Sequence, residues 1–161
     1  MFANYINGCC VEGRGERYEV VNPATNQPLL TTRGVDARQI QEALEAAEEA
    51  FKPWSRTSIN DRIRWMMKLR DACAEKRDHF IELSANEAGK SYGEAKIDFE
   101  SLLNSLNFFS EEAKRVYGTS VTDYNSTRSD VFHVMELRPL GVHVGHLTWN
   151  WPIQALGEKL S

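Results

Sequence analysis

The stretch Arg138-Pro139-Leu140-Gly141-Val142-His143-Val144-Gly145-His146-Leu147-Thr148-Trp149-Asn150-Trp151-Pro152 decides how this 161-residue chain is read. Val142 to Leu147 has the composition of a buried strand. Thr148, Trp149 and Asn150 form a tight polar turn, and Pro152 opens a helix that carries Lys159. Strand, polar turn and helix in that order is how α/β proteins present ligand-binding groups at the carboxyl end of a sheet. The expectation is therefore an α/β fold. The unit is the first half of a βαβ crossover, and a parallel strand pair needs a return strand that these residues do not supply.

Working outward, Pro139 separates this unit from a β-rich run, Val131 to Leu137, and residues 119–130 read as a polar stretch. Before them lies the longest helical pattern. Ser91 and Glu94 have capping-box spacing, and Phe99, Leu102, Leu103, Leu106, Phe109, Ala113 and Val116 follow in register until Gly118. Ser58 and Asp61 open an earlier helix, with Ile59, Ile63, Met66, Met67 and Cys73 on its buried side and Trp65 at the edge. It bends at Glu75-Lys76-Arg77-Asp78 and resumes through Phe80, Ile81 and Ser84 to a Gly89 cap. Asp36 and Gln39 start the first helix in a second capping-box pattern, and Pro53 ends it. Residues 4–21 read as a hairpin or meander turning at Asn7-Gly8. Asn22-Pro23-Ala24-Thr25-Asn26 is a turn leading to a short strand at Leu29–Thr32.

Composition narrows the function classes. Apolar residues make up 42% and charged residues 26% of the chain, a globular mixture, and a net charge of −4 without a basic run argues against a general nucleic-acid binder. No stretch reaches the apolar length of a membrane span or a signal peptide. Cys9, Cys10 and Cys73 are an odd, sparse set that does not look like a disulfide framework, so a reducing, cytoplasmic compartment is expected.

The chemistry-bearing groups separate by the same reasoning. His143 and His146, three apart, point to opposite faces of a strand, and no carboxylate or cysteine stands at ligand spacing, so no metal site is expected. None of the cysteines has a glycine-rich elbow or a nearby histidine motif, and Cys73 falls on a helix stripe. Gly141 and Gly145 lie inside the strand, and no G-x-G-x-x-G is present. Asn150 is open to two readings: a helix cap or turn former, or an amide donor fixed ahead of a helix to stabilise an oxyanion.

Four blocks carry a resemblance. Tyr5-Ile6-Asn7-Gly8, Val21-Asn22-Pro23-Ala24-Thr25, Glu87-Ala88-Gly89-Lys90, and Pro139-Leu140-Gly141-Val142 with Trp149-Asn150-Trp151-Pro152 and Lys159 closely resemble, in order and spacing, the amino-terminal part of NAD(P)-dependent aldehyde dehydrogenases, betaine and semialdehyde enzymes among them. The resemblance implies an incomplete Rossmann-like cofactor-binding domain with amino-terminal hairpins and a helical layer. Residues 1–122 and 138–161 would belong to that domain and residues 123–137 to an oligomerisation-arm strand, with the catalytic domain absent. It implies oxidation of an aldehyde to an acid in a homo-oligomer, through a cysteine thiohemiacetal and hydride transfer to NAD or NADP. Asn150 matches the side-chain donor of the oxyanion hole. Leu147, Thr148, Trp149 and Asn150 match the turn that lines the cofactor, and Lys159 matches a lysine of a polar relay near the active site.

This sequence departs from the family at Thr148, where proline is common, and at His146, where an apolar residue is usual; a buried imidazole there needs a polar partner. The family's cofactor glycines, general-base glutamate and nucleophilic cysteine have no counterparts in these residues. The chain stops inside the helix begun by Pro152. The expectation is a truncated, split or fragmentary enzyme, inactive alone and binding NAD or NADP weakly or not at all. The alternative is a noncatalytic interaction fragment that pairs through its strand edges with a full-length or complementary chain.

Overall fold

The computed structural model describes residues 4–121 and 133–161. Among them are six short strands, in three separate two-stranded antiparallel sheets, and five helices. The polypeptide opens on a hairpin, β1 (Asn4–Ile6) and β2 (Cys9–Val11), with Tyr5 opposite Cys10. Its two-residue turn needs positive φ at both positions, and Asn7 (50°) and Gly8 (79°) supply it. The second hairpin joins β3 (Arg17–Asn22) to β4 (Gln27–Arg33). Its register shifts between Val20 and Val21, where Pro28, which has no N–H to donate, faces Val21.

Four helices follow: α1 (Ala37–Trp54), α2 (Ile59–Glu75), α3 (Arg77–Ala88) and α4 (Tyr92–Glu112). Each of the expected caps at Asp36, Ser58 and Ser91 accepts a hydrogen bond from the backbone N–H three residues on. Only Ser91 and Glu94 complete a reciprocal box, and Glu94 is held below the usual carboxylate range by its hydrogen bonds to Ser91. Gln39 leaves its half of the box open. Its buried amide turns instead to the loop after β2, donating to the Glu12 carbonyl (2.8 Å) and accepting from Arg14 N–H (2.6 Å). α1 does not stop before Pro53. The ring sits in the penultimate position, where a missing donor costs one bond, and Ser55 N–H closes the last turn on the Phe51 carbonyl.

α4 is the axis of the core. Ala95, Phe99, Leu102 and Leu106 are buried on one stripe with Ile81 of α3, and Met66, Leu69 and Cys73 of α2 pack against them. Ile59, Trp65, Phe109 and Val116 stay exposed, so the expected stripes of α2 and α4 are narrower than the apolar pattern suggests. A short 3-10 turn, Ala113–Arg115, ends α4 before Gly118.

The carboxyl-terminal part differs from expectation. β5 (Thr119–Val121) pairs with β6 (His133–Met135), so part of the polar stretch is a strand. The rest of that stretch, and Val131 and Phe132 of the expected strand, lie outside the described residues. Val142 to Leu147 is not a strand. No described segment is paired with it, and extended backbone without a partner has no ladder. No parallel sheet is present among the described residues. The expected helix is present as α5 (Pro152–Leu160). No described helix is long and apolar enough to cross a membrane.

α5 lies so close to α4 that a Cβ on Gly157 would stand 2.9 Å from Leu102 Cα and 3.2 Å from the Leu102 carbonyl oxygen. Backbone cannot yield as a flexible side chain can. Gly157→Ala is expected to cost about 1–3 kcal/mol, read as a lower urea midpoint at unchanged m-value.

Candidate functional site

The turn that carries Asn150 is held from below by a buried carboxylate. Asp98 lies on the apolar stripe of α4, between Ala95 and Leu102, and is 0% exposed. Its Oδ1 accepts from Gln154 N–H of α5 at 2.7 Å, and its Oδ2 accepts from Lys90 Nζ at 2.6 Å and from Ser84 Oγ at 3.5 Å. Gln154 occupies the third position of α5. The N-cap residue is Trp151, whose indole has no acceptor and makes no capping bond. A carboxylate on the preceding helix, α4, therefore does the work of a cap, and its charge sits at the positive end of the helix dipole.

The same cluster gathers the motif blocks. Lys90 is 9% exposed, and its ammonium stands 4.0 Å from the centroid of the Trp151 ring while it pairs with Asp98. Gly89, in the left-handed region at φ 66°, caps α3, and a Cβ there would land 2.6 Å from Pro23 Cγ. Asn22 Oδ1 accepts from Ala24 and Thr25 N–H, and its Nδ2 donates to Asn86 Oδ1 at 3.3 Å. Three of the four blocks thus meet around the start of α5. The fourth, Tyr5–Gly8, lies where β1 faces α1 and shares a cavity with Val142–Val144.

Above this base the expected site residues are open. Leu147, Thr148, Trp149 and Asn150 are all exposed, Trp149 by 85%. Leu147 and Trp149 border a cleft of about 570 Å³ whose other walls are Pro23, the face of α3 from Phe80 to Ala88, and Pro152, Ile153 and Leu156 of α5. Its lining is apolar apart from Ser84 and Glu87 and includes no lysine or arginine. Among the described residues the Asn150 amide makes no hydrogen bond, and it does not cap α5, which removes the capping reading.

Lys159 is not brought to Asn150 by any contact. It lies in the last turn of α5, roughly 10 Å along the axis from Pro152 at 1.5 Å per residue. Its stem runs beside Gly145, and its ammonium is unpaired among the described residues. His143 and His146 are exposed, so His146 carries no desolvation cost, and no metal-binding cluster occurs among the described residues. Cys9 and Cys10 are exposed on β2. Cys73 is half-buried, and burial pushes its thiol up. None of the three borders the cleft.

Asp98 and Lys90 were not singled out among the candidate residues, although an acid on an apolar stripe and a lysine after a capping glycine are both visible in the sequence. Removing one partner strands the other as a buried charge. Asp98→Ala is expected to cost about 3–5 kcal/mol, and the double replacement Asp98→Leu, Lys90→Met less than the sum of the singles, measured by denaturation in a double-mutant cycle. Alkylation should modify Cys9 and Cys10 before Cys73 at pH 8, since a raised pKa leaves less thiolate; mass mapping of partly labelled protein reads the order.

The sequence pattern of the aldehyde dehydrogenase family matches residues 10–161. The chain is 29% identical over 157 residues to succinate-semialdehyde dehydrogenase [NADP(+)] of Saccharomyces cerevisiae, covering 98% of this chain and 31% of that protein. It superposes with a TM-score of 0.88 on a crystal structure of an E. coli NADP dependent enzyme, at 26% identity over 96% of this chain and 32% of that one. A betaine aldehyde dehydrogenase double mutant from Staphylococcus aureus in complex with NAD+ matches at a TM-score of 0.86 and 23% identity, over 96% of this chain and 31% of that one. The chain spans about a third of the length of these relatives. With three of its motif blocks meeting around the start of α5 and the family pattern running over residues 10–161, the chain belongs to the aldehyde dehydrogenase family.

Proposed function

We propose that these residues form the cofactor-facing and oxyanion-stabilising part of an NAD(P)-dependent enzyme that oxidises an aldehyde to a carboxylic acid. The observation that carries this reading is Asn150: a free amide on a turn anchored by the buried Asp98–Lys90 pair, beside an open apolar cleft. Asn150 Nδ2 donates to the carbonyl oxygen as it gains charge. A donor held in place beforehand needs no reorganisation at that moment. Leu147, Thr148 and Trp149 line the cofactor. The apolar cleft wall suits its ring-bearing end, whereas the diphosphate takes its partners elsewhere, because no cation borders the cleft. The nicotinamide, when bound, supplies the hydride acceptor. Lys159, unpaired among the described residues, joins a polar relay in the full assembly.

The thiolate and the general base come from polypeptide outside residues 1–161. Supporting this are the positions of the three cysteines, away from the turn, and the third of the relatives' length that the chain spans. In that larger protein, Val142–Leu147 gains a ladder as a strand of a Rossmann-like sheet. Residues 1–122 and 138–161 belong to the cofactor domain, residues 123–137 act as an arm between subunits, and three free thiols suit a reducing cytoplasm.

A second reading is favoured by the apolar side chains that Val134, Leu137, Leu140 (89% exposed) and Val144 leave in water. They would let the chain pair noncatalytically with a dehydrogenase subunit. Co-elution with a full-length relative in size-exclusion chromatography is its expected result.

In the complete enzyme, Asn150→Ala is expected to lower kcat about 10²–10³-fold. Stability should change by no more than about 0.5 kcal/mol, because the side chain is exposed and caps nothing. Steady-state formation of the reduced cofactor and a denaturation curve separate the two effects. The 161-residue chain alone should give no aldehyde-dependent NADH. Calorimetry that found micromolar NAD affinity for it would contradict the assignment of the missing contacts to other polypeptide.

A further inference from the structure

α5 is fastened to the helical layer at two places. Toward its carboxyl end Gly157 lies against the α4 backbone, where an added Cβ would stand 2.9 Å from Leu102 Cα. At its amino end the ion pair takes hold. Asp98 Oδ1 accepts from Gln154 N–H at 2.7 Å, and Lys90 Nζ stands 2.6 Å from Asp98 Oδ2 and 4.0 Å from the centroid of the Trp151 ring. The Trp151 carbonyl accepts from Ala155 N–H at 3.0 Å, closing the first turn. Trp151 is thus held by its ring, by its carbonyl and through the turn that follows it. One peptide bond separates it from Asn150, so the direction in which the Asn150 side chain leaves the backbone follows from where Trp151 is held.

The two fastenings do different things. The Gly157 contact is close and apolar and keeps α5 docked. The ion pair adds little to that, because a buried pair can often be replaced by apolar side chains of similar volume without loss of stability. An apolar pair, however, cannot accept from Gln154 N–H and cannot attract the face of an indole. It would leave the helix in place and release its first turn. We propose that Asp98 and Lys90 are positioning residues for turnover: through Gln154 N–H and the Trp151 ring they hold the Asn150 amide where the oxyanion forms. The proposal rests on Asn150 as that donor. A donor displaced by a fraction of an ångström still admits substrate but meets the developing charge less well, so the pair acts on kcat and not on KM.

The test is kcat and aldehyde KM in the complete enzyme, with a denaturation midpoint for every variant. In the double variant Lys90→Met, Asp98→Leu, kcat should fall about ten- to a hundredfold, with KM within about twofold of wild type. Added to Asn150→Ala, the same replacements should cause no further loss of kcat, because a misplaced donor and an absent one are the same defect. Should the double variant fail to fold, Trp151→Leu leaves the ion pair in place and removes only the ring. It should lower kcat about fivefold, again with no further loss on top of Asn150→Ala. Wild-type kcat in whichever variant folds overturns the positioning role. So does a loss that multiplies in full with that of Asn150→Ala, which is what a general loosening of the fold would give. Unchanged kcat in Asn150→Ala alone is a different failure: it removes the donor reading itself, and the positioning role with it.

Discussion

The carboxylate of Asp98 is the constraint on which the carboxyl-terminal part of this chain depends. It is fully buried, so its charge must be met in place. Lys90 meets it with a short ion pair and Gln154 N–H with a helix-terminal donor. Each partner then fixes something else. Lys90 lies against Trp151, and the Gln154 amide starts α5 at Pro152. The turn bearing Asn150 is thereby set by contacts below it, and the Asn150 amide is engaged by none of the described residues. That division between a committed base and an uncommitted rim is the physical ground for assigning a ligand-facing role to Asn150.

The pair also explains why motifs far apart in the sequence belong together. The turn at Pro23 needs a glycine at position 89, because its ring occupies the space a side chain there would fill. The left-handed cap at Gly89 ends α3 and turns the chain so that Lys90 reaches Asp98. Hairpin, helix end and terminal turn are successive contacts in one packed cluster. Its energetic share is specificity of placement more than raw stability, since buried ion pairs recover little beyond their desolvation cost.

Much of the helical layer was legible because the signals are local. The caps at Asp36, Ser58 and Ser91, the break at Lys76 and the αL cap at Gly89 each involve residues within one turn of the feature they make. What escaped was nonlocal. Val142–Leu147 has strand composition, but a ladder is a property of two segments, and the second is absent from the described residues. Thr119–Val121 is too short to show alternation and becomes a strand only through its pairing with His133–Met135. At the site, Leu147, Trp149 and Asn150 are where the motif suggested, open on a turn before a helix. Asn150 is not the cap that local chemistry favours, because Asp98, 56 residues earlier in sequence, already accepts from the start of α5. Gln39 tells the same story at the other end, its capping-box position outbid by a loop the pattern could not place beside it.

α5 makes no side-chain capping bond of its own. The N–H groups of its first turn need an acceptor from another segment. Its first turn becomes favourable only after α3 and α4 have docked and brought Lys90 and Asp98 together. The order of assembly follows from that dependence: the Asn150 turn is among the last features to acquire its shape. Hydrogen exchange in α5 should consequently report the integrity of the α3–α4 pair, and the amides of Gln154 and Ala155 should open together with that pair and not by separate fraying of the terminus.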